Sequence, residues 1–230
     1  MTSDRPSPGH RPVDDARAQA RAQVADAEVP GWAGGVMLAL RWVTLLVEVN
    51  VMVLLGTLAG GVLLGAGPAL HAASAVTSRM THEPTPWRTF WRTWRSGFRR
   101  ANVLFAPLWV VAALLWFDGA AITLMTGPVR AVLLGGLVLV LVWTAVVLAY
   151  WPRVVLRYER PFGETWRFLL LAPLLGPATS AAVLVVLLVV WIAWTFLPVV
   201  AVLLGTSFAL WATGRLVTER LERLDVDLGA

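Results

Sequence analysis

The run VLLGGLVLVLVWTAVVLAYW, residues 132–151, decides the fold, because it holds twenty residues without one charged side chain. A transmembrane helix needs about 20 apolar residues to cross the hydrocarbon core of a bilayer. Three further stretches are almost as poor in charge, namely 36–70, 103–129 and 168–214. With 58% apolar residues, 14% charged residues and a mean hydropathy of +0.70, the 230-residue chain fits no ordinary soluble domain. We therefore expect an all-α, polytopic transmembrane helical bundle.

The number of membrane crossings depends on how the chain folds between residues 36 and 80. One straight helix over this run would be about 67 Å long, roughly twice the thickness of the hydrocarbon core, so the run must break. Gly65, Gly67 and Pro68 mark the expected break, because the residue before a proline resists the helical conformation. A helical hairpin of 36–58 and 60–80, which we favour, gives about six spans. One span over 40–64 followed by an interfacial segment over 68–80 gives five.

The four later spans are clearer and are expected at 102–125, 129–151, 176–197 and 198–216.

The chain divides into three regions. Residues 1–30 mix prolines with charged residues and hold almost no large apolar side chains, so we expect a disordered polar N-terminal tail. Residues 31–216 form the transmembrane helical domain, and residues 217–230 a short cytoplasmic C-terminal helix or tail.

The distribution of arginine predicts the orientation in the membrane. All 19 basic residues are arginine, and thirteen of them fall in the loops on one side of the expected spans, against Arg130 alone on the other. Cytoplasmic loops of membrane proteins carry the excess of basic residues. We therefore expect a multi-pass protein of the bacterial cell membrane with both termini in the cytoplasm.

The chain offers little of the chemistry that enzymes use. It has no cysteine, and its three histidines, His10, His71 and His82, lack the helical spacing of a zinc site. No serine, cysteine or paired-carboxylate catalytic set is recognisable. We expect no catalytic residue, no metal centre and no cofactor.

The segment PWRTFWRTWRSGFRR, residues 86–100, has the most regular pattern in the chain. Its aromatic residues recur at i, i+4, i+7 and i+11, and arginines repeat that spacing one residue later, which on a helix gives two stripes about 100° apart. Tryptophan prefers the headgroup level and arginine reaches lipid phosphate, so we expect a cytoplasmic amphipathic helix in the interface. It would anchor the protein at an anionic inner leaflet or recognise an acidic partner; nucleic acid is not an expected ligand. The residues concerned are Trp87, Arg88, Trp91, Arg92, Trp94, Arg95, Arg99 and Arg100.

The apolar run over residues 36–80 is interrupted by Arg41, Glu48, Asn50 and His71. A charged group at the centre of a span costs about 2.5 kcal/mol or more, so Glu48 must be paired, neutral or in contact with water. Arg41, seven residues earlier on the same helix face, could reach part of the way toward it. We favour a structural role, in which Glu48 and Asn50 tie helices together through hydrogen bonds, over a proton or substrate site. His71 could bond a carbonyl freed at the helix break.

Several of these segments together resemble the YesL-like bacterial membrane proteins. The features are Asn50 ahead of an apolar run, GAGPALHAA (65–73), FWRTWRSGFRRAN (90–102) and WPRVVLRYERPF (151–162). The resemblance covers about residues 35–215 and implies a small multi-pass protein often encoded beside carbohydrate uptake and degradation systems, without an activity that can be carried over. We therefore expect a non-enzymatic accessory or partner component associated with solute (carbohydrate) uptake. Its expected partner is a transporter subunit, or a second copy of the chain in a homo-oligomer. The alternative is a small secondary transporter or channel using Glu48, Asn50 and the Gly-Pro break.

Overall fold

The computed structural model of the chain describes residues 31–78 and 85–227. These residues form seven α-helices and no strand, which confirms the all-α prediction for them. The predicted polar tail, residues 1–30, lies outside the described residues. The helices are α1 (Gly31–Ala59), α2 (Leu63–Ser78), α3 (Pro86–Thr123), α4 (Pro128–Arg157), α5 (Phe162–Leu175), α6 (Pro177–Phe196) and α7 (Pro198–Asp227).

The chain divides into two units, residues 1–43 and 44–230. In the first unit the described part is the beginning of α1, whose side chains from Gly34 to Arg41 are all exposed. The second unit contains the rest of α1 and the helices α2 to α7.

Four of the described helices are long and apolar enough to cross a membrane: Gly34–Ala59, Pro86–Thr123, Pro128–Arg157 and Pro177–Phe196. The predicted count of six spans is not confirmed. Helix α2 has 16 residues and is only about 24 Å long. In α7, the first charged side chain is Arg215, which limits the charge-free part to residues 198–214, and the helix continues past residue 216 to Asp227.

The predicted break at Gly65, Gly67 and Pro68 is wrong, because Pro68 lies inside α2. The turn between α1 and α2 is at Gly60–Val62 instead, where Gly61 (φ 69°) and Val62 (φ 62°) are in the left-handed region. Pro68 is the sixth residue of α2 and cannot donate the backbone hydrogen bond to the Leu64 carbonyl, but its side chain is buried, and this packing offsets the loss.

The two glycines serve helix contacts. A Cβ on Gly65 would collide with the Thr57 carbonyl oxygen of α1, and one on Gly67 would lie 2.9 Å from Cβ of Phe105 in α3. They therefore let α2 approach its neighbours closely.

Two predicted boundaries around the amphipathic segment and the arginine loops also need correction. The predicted interfacial helix and the span after it are one 38-residue helix, α3, which begins at Pro86 and is about 57 Å long. Residues 152–175, expected to form a loop, contain the end of α4 and all of α5. Helix α5 forms because its buried residues Thr165, Leu169, Ala172 and Pro173 recur at helical spacing.

Helix α4 lies at the centre of the second unit, in contact with α2, α3, α5, α6 and α7. Its residues Tyr150 and Trp151 are completely buried, and the Trp151 ring meets that of Phe105 edge-on with the centroids 5.0 Å apart. The Trp151 indole also donates a hydrogen bond of 3.1 Å to the Leu104 carbonyl. The core is therefore centred on the second half of α4.

Candidate functional site

The aromatic stripe of α3 forms a ladder of ring contacts. The ring centroids are 5.8 Å apart for Trp87 and Trp91, 5.6 Å for Trp91 and Trp94, and 4.9 Å for Trp94 and Phe98. Edge-on and tilted pairs at these separations are favourable aromatic arrangements. The ladder thus extends over three turns of the helix with the predicted spacing.

The arginine stripe lies beside the ladder. Arg88, Arg92, Arg95 and Arg99 are exposed, whereas Arg100 is half-buried. The first four guanidinium groups are therefore free to face water or lipid headgroups, in keeping with the predicted interfacial side of this helix.

A third face of the same segment packs against other helices, which the sequence pattern did not show. Thr89 and Phe90 are buried, and the Phe90 ring lies 2.9 Å from the position of a Cβ on Gly56 in α1. The half-buried His71 ring of α2 lies equally close to Gly97. The segment is therefore part of the bundle as well as of its arginine-rich surface.

The most deeply buried arginine is Arg153, near the end of α4, which is only 6% exposed. Its Nη1 donates to the Ser74 carbonyl and its Nη2 to the Thr77 hydroxyl, both at 3.3 Å, in the last part of α2. On its other side the guanidinium group lies against Gly214 of α7, where a Cβ would collide with it. Ser74 lies just before the last four carbonyls of α2, which lack helical partners and carry partial negative charge, so this end of the helix suits a cation.

Two other arginines bind helix ends in the same way. Arg100 donates from Nη2 to the carbonyl of Tyr158, the C-cap residue of α4, at 2.7 Å. Arg220 of α7 donates from Nη2 to the carbonyl of Leu175, the last residue of α5, at 2.8 Å. Arginines therefore hold the C-terminal ends of α2, α4 and α5.

Sequence reasoning assigned Arg153 and Arg220 to charged loops that set the orientation, and it missed their part in helix packing. One signal for Arg153 was present: it follows the apolar run of α4 with only Pro152 between, and no turn. Its partners on α2 and α7 are distant in sequence, so they became visible only in the folded chain.

Of the remaining intramembrane candidates, His71 interacts electrostatically with Arg100. Asn50 is buried in the second unit at 3% exposure, and Glu48 is half-buried on the same helix. Arg41 belongs to the first unit and is exposed, so its predicted reach toward Glu48 stays a prediction. The expected hydrogen bond from His71 to a carbonyl freed at a helix break is not possible, because α2 continues through that point. The buried Nδ1 of His71 makes no hydrogen bond within the described part of the chain.

No metal site is visible among residues 31–78 and 85–227, since no three His, Asp or Glu side chains come close enough together there to hold an ion. The expectation that the protein has no metal or cofactor stays a prediction.

Comparison with known proteins gives one match. Residues 46–119 match the model of a family described as "Protein of unknown function, DUF624". The matched segment runs from α1 through α2 and most of α3, and so includes the α1–α2 turn and the aromatic ladder. It is compatible with the resemblance to YesL-like proteins without naming them. No curated protein and no solved structure matches the chain. Together with the four apolar helices, the match fits a multi-helix membrane protein.

Proposed function

We propose that the protein is a non-enzymatic membrane component that assembles with a solute-uptake system as an accessory or partner subunit. The solute class suggested by the resemblance is carbohydrate. The observation that carries the proposal is an uncovered, largely apolar stretch of helix: residues 128–142 of α4, with Arg130 as their one charged residue, are exposed apart from the half-buried Leu137. Gly135 and Gly136 lie in this stretch with open space where side chains would be, and Gly136 also lines a cavity between α3 and α4. Small residues let two transmembrane helices approach closely, so this stretch suits a helix of a partner subunit or of a second copy.

The proposed setting is the bacterial cell membrane, with both termini in the cytoplasm and six crossings. The support is the asymmetry of arginine between the two sides of the expected spans. Protease or thiol-reagent accessibility of tags at each terminus in intact cells tests this arrangement. An N-terminal tag that is reached from outside would rule out α2 as a second crossing and leave five spans.

Co-purification tests the accessory role. The full chain, tagged and solubilised from its native membranes, should retain a transporter subunit. The double substitution Gly135→Leu and Gly136→Leu should remove that subunit, because bulky side chains keep the helices apart. The matched control is Val129→Leu, at a 62%-exposed position of the same helix, and it should retain the subunit. Absence of any transporter subunit from the wild-type preparation, together with solute flux in liposomes containing this protein alone, would contradict the proposal.

The second candidate function is a small secondary transporter or channel. It is favoured by the burial of Asn50 beside the half-buried Glu48 in an otherwise apolar helix, since buried polar groups in membrane spans often line solute or proton paths. The Gly-Pro break no longer contributes to it. Under this candidate, Glu48→Gln abolishes uptake while leaving the melting temperature in detergent unchanged. Under the accessory role, the same change leaves both nearly intact.

A further inference from the structure

We propose that a cleft between α3 and the connection from α4 to α5 binds a phosphate group, that of an anionic lipid at the membrane surface. The cleft has a volume of about 380 Å³. It is lined by Ser96, Arg99, Arg100, Val103, Leu104, Arg160 and Phe162. The inference goes beyond the accessory role and does not depend on it.

The cleft brings together arginines that are distant in sequence. Arg99 and Arg100 come from α3, and Arg160 comes from the connection between α4 and α5. Among the described residues that line it, none is a carboxylate, and the neighbouring acids Glu159 and Glu164 are exposed outside it. Three arginines around one cleft without a carboxylate leave its positive charge uncompensated, and a phosphate group in the cleft would neutralise it.

One residue, Tyr158, positions two of these guanidinium groups. Its backbone carbonyl accepts the 2.7 Å hydrogen bond from Arg100, and its ring lies under Arg160 with 5.0 Å between the guanidinium carbon and the ring centroid. The Phe168 ring supports Arg160 from 5.8 Å. A guanidinium group that is already held in place loses less conformational entropy when it binds a ligand. This arrangement therefore favours specific binding over nonspecific electrostatic attraction.

The rest of the lining indicates the source of the phosphate. Val103, Leu104 and Phe162 add apolar surface beside the arginines. A phospholipid offers that combination of an anionic phosphate and apolar acyl chains, whereas inorganic phosphate has no apolar part. Arg99 also continues the stripe of α3, which places the cleft at the arginine-rich surface where lipid headgroups are expected.

The test is a binding titration of the full-length protein in neutral detergent. Binding is followed by the melting temperature and by tryptophan fluorescence, with short-chain phosphatidylglycerol, short-chain phosphatidylcholine and inorganic phosphate as separate ligands. The cleft variant is Arg99→Gln with Arg160→Gln, which leaves the bond from Arg100 to Tyr158 in place. The matched control is Arg88→Gln with Arg92→Gln. It removes the same amount of charge, from positions of α3 outside the cleft.

We expect the wild type to bind phosphatidylglycerol in preference to phosphatidylcholine. The cleft variant should lose affinity by about 30-fold, and the control by no more than about threefold. If inorganic phosphate also binds, and the cleft variant loses affinity for it to the same extent, the cleft is a phosphate site whose ligand is soluble phosphate and not a lipid. Equal losses in the two double variants, or wild-type affinity in the cleft variant, would overturn the proposal. Should the cleft variant fail to fold, Arg99→Gln alone, compared with Arg88→Gln, should still lose about fivefold.

Discussion

The hairpin of α3 and α4 has two halves that differ in how they are covered. In the packed half, residues 86–109 and 143–157, buried side chains meet α2, α5 and α7, and arginines hold helix ends. In the open half, residues 110–123 and 128–142, nearly every side chain is exposed; Ile122, at 6% exposure, is an exception. A cavity of about 690 Å³ separates the two helices there, lined by apolar residues and Asp118. The fold is thus stabilised in the packed half, while the open half is left to lipid or to another helix.

The largest difference between the halves should appear when the same side chain is truncated in each. Leu108 is 6% exposed in the packed half of α3, and Leu114 is 57% exposed in the open half. Leu108→Ala should lower the free energy of unfolding by about 3 kcal/mol, because a cavity replaces packed atoms. Leu114→Ala should change it by less than about 0.5 kcal/mol. Denaturant unfolding in detergent measures both, and equal losses would show that the open half is covered in the isolated protein.

Gly214 offers a second comparison, in which a side chain is added. Gly214→Val should destabilise the protein by about 2 kcal/mol, because the new side chain must displace the Arg153 guanidinium from α7. Gly135→Val, at an open position of α4, is the control and should be nearly neutral in detergent.

A double substitution identifies the cause of that loss. With Arg153→Met already present, Gly214→Val should cost about 1 kcal/mol less, since the flexible, neutral side chain can move aside. A cost that does not depend on residue 153 would mean that Gly214 is required for some reason other than contact with the guanidinium group.

The helix-end contacts of arginine make a smaller contribution. Arg220→Gln should lower the free energy of unfolding by about 1 kcal/mol, because the Leu175 carbonyl at the end of α5 loses a charge-assisted hydrogen bond that is partly screened by solvent. Arg167→Gln, at an exposed position of α5, removes the same charge and should have less effect. If both variants lose the same stability, net charge matters here and the hydrogen bond does not.

The sequence predicted those features that depend on local pattern. The tryptophan spacing of α3 appears in the structure as the aromatic ladder, and the boundary expected between the spans 176–197 and 198–216 separates α6 from α7. Both follow from helical periodicity and from proline at a helix start, which need no knowledge of the rest of the fold.

Features that depend on contacts between distant segments could not be predicted in the same way. Arg153 falls in a predicted loop because it follows the apolar run of α4, and its partners Ser74 and Thr77 lie far away in the sequence, on α2. The local pattern predicts a helix break at Pro68 because proline is the stronger signal. In the structure the backbone turns at Gly61 and Val62 instead. The local rule failed at that point because burial of Pro68 in α2 offsets the backbone hydrogen bond that the proline removes.

The α1–α2 turn lies where the two halves meet, and it gives the smallest predicted effect. Trp109, the last residue of the packed half of α3, donates from its indole to the Leu63 carbonyl at 2.9 Å. The preceding residue, Val62, is β-branched and has a φ of 62°, which costs an L-residue about 1–2 kcal/mol. Glycine removes this strain but loses more conformational entropy on folding, so Val62→Gly should stabilise the protein by a net value of about 0.5 kcal/mol. The same substitution at Val51, within α1, should instead destabilise it by about 1 kcal/mol. If Val62→Gly raises the melting temperature and Val51→Gly lowers it, the backbone of Val62 is strained in a left-handed turn. Destabilisation by both substitutions would show that the Val62 side chain contributes more to the junction than its backbone strain costs.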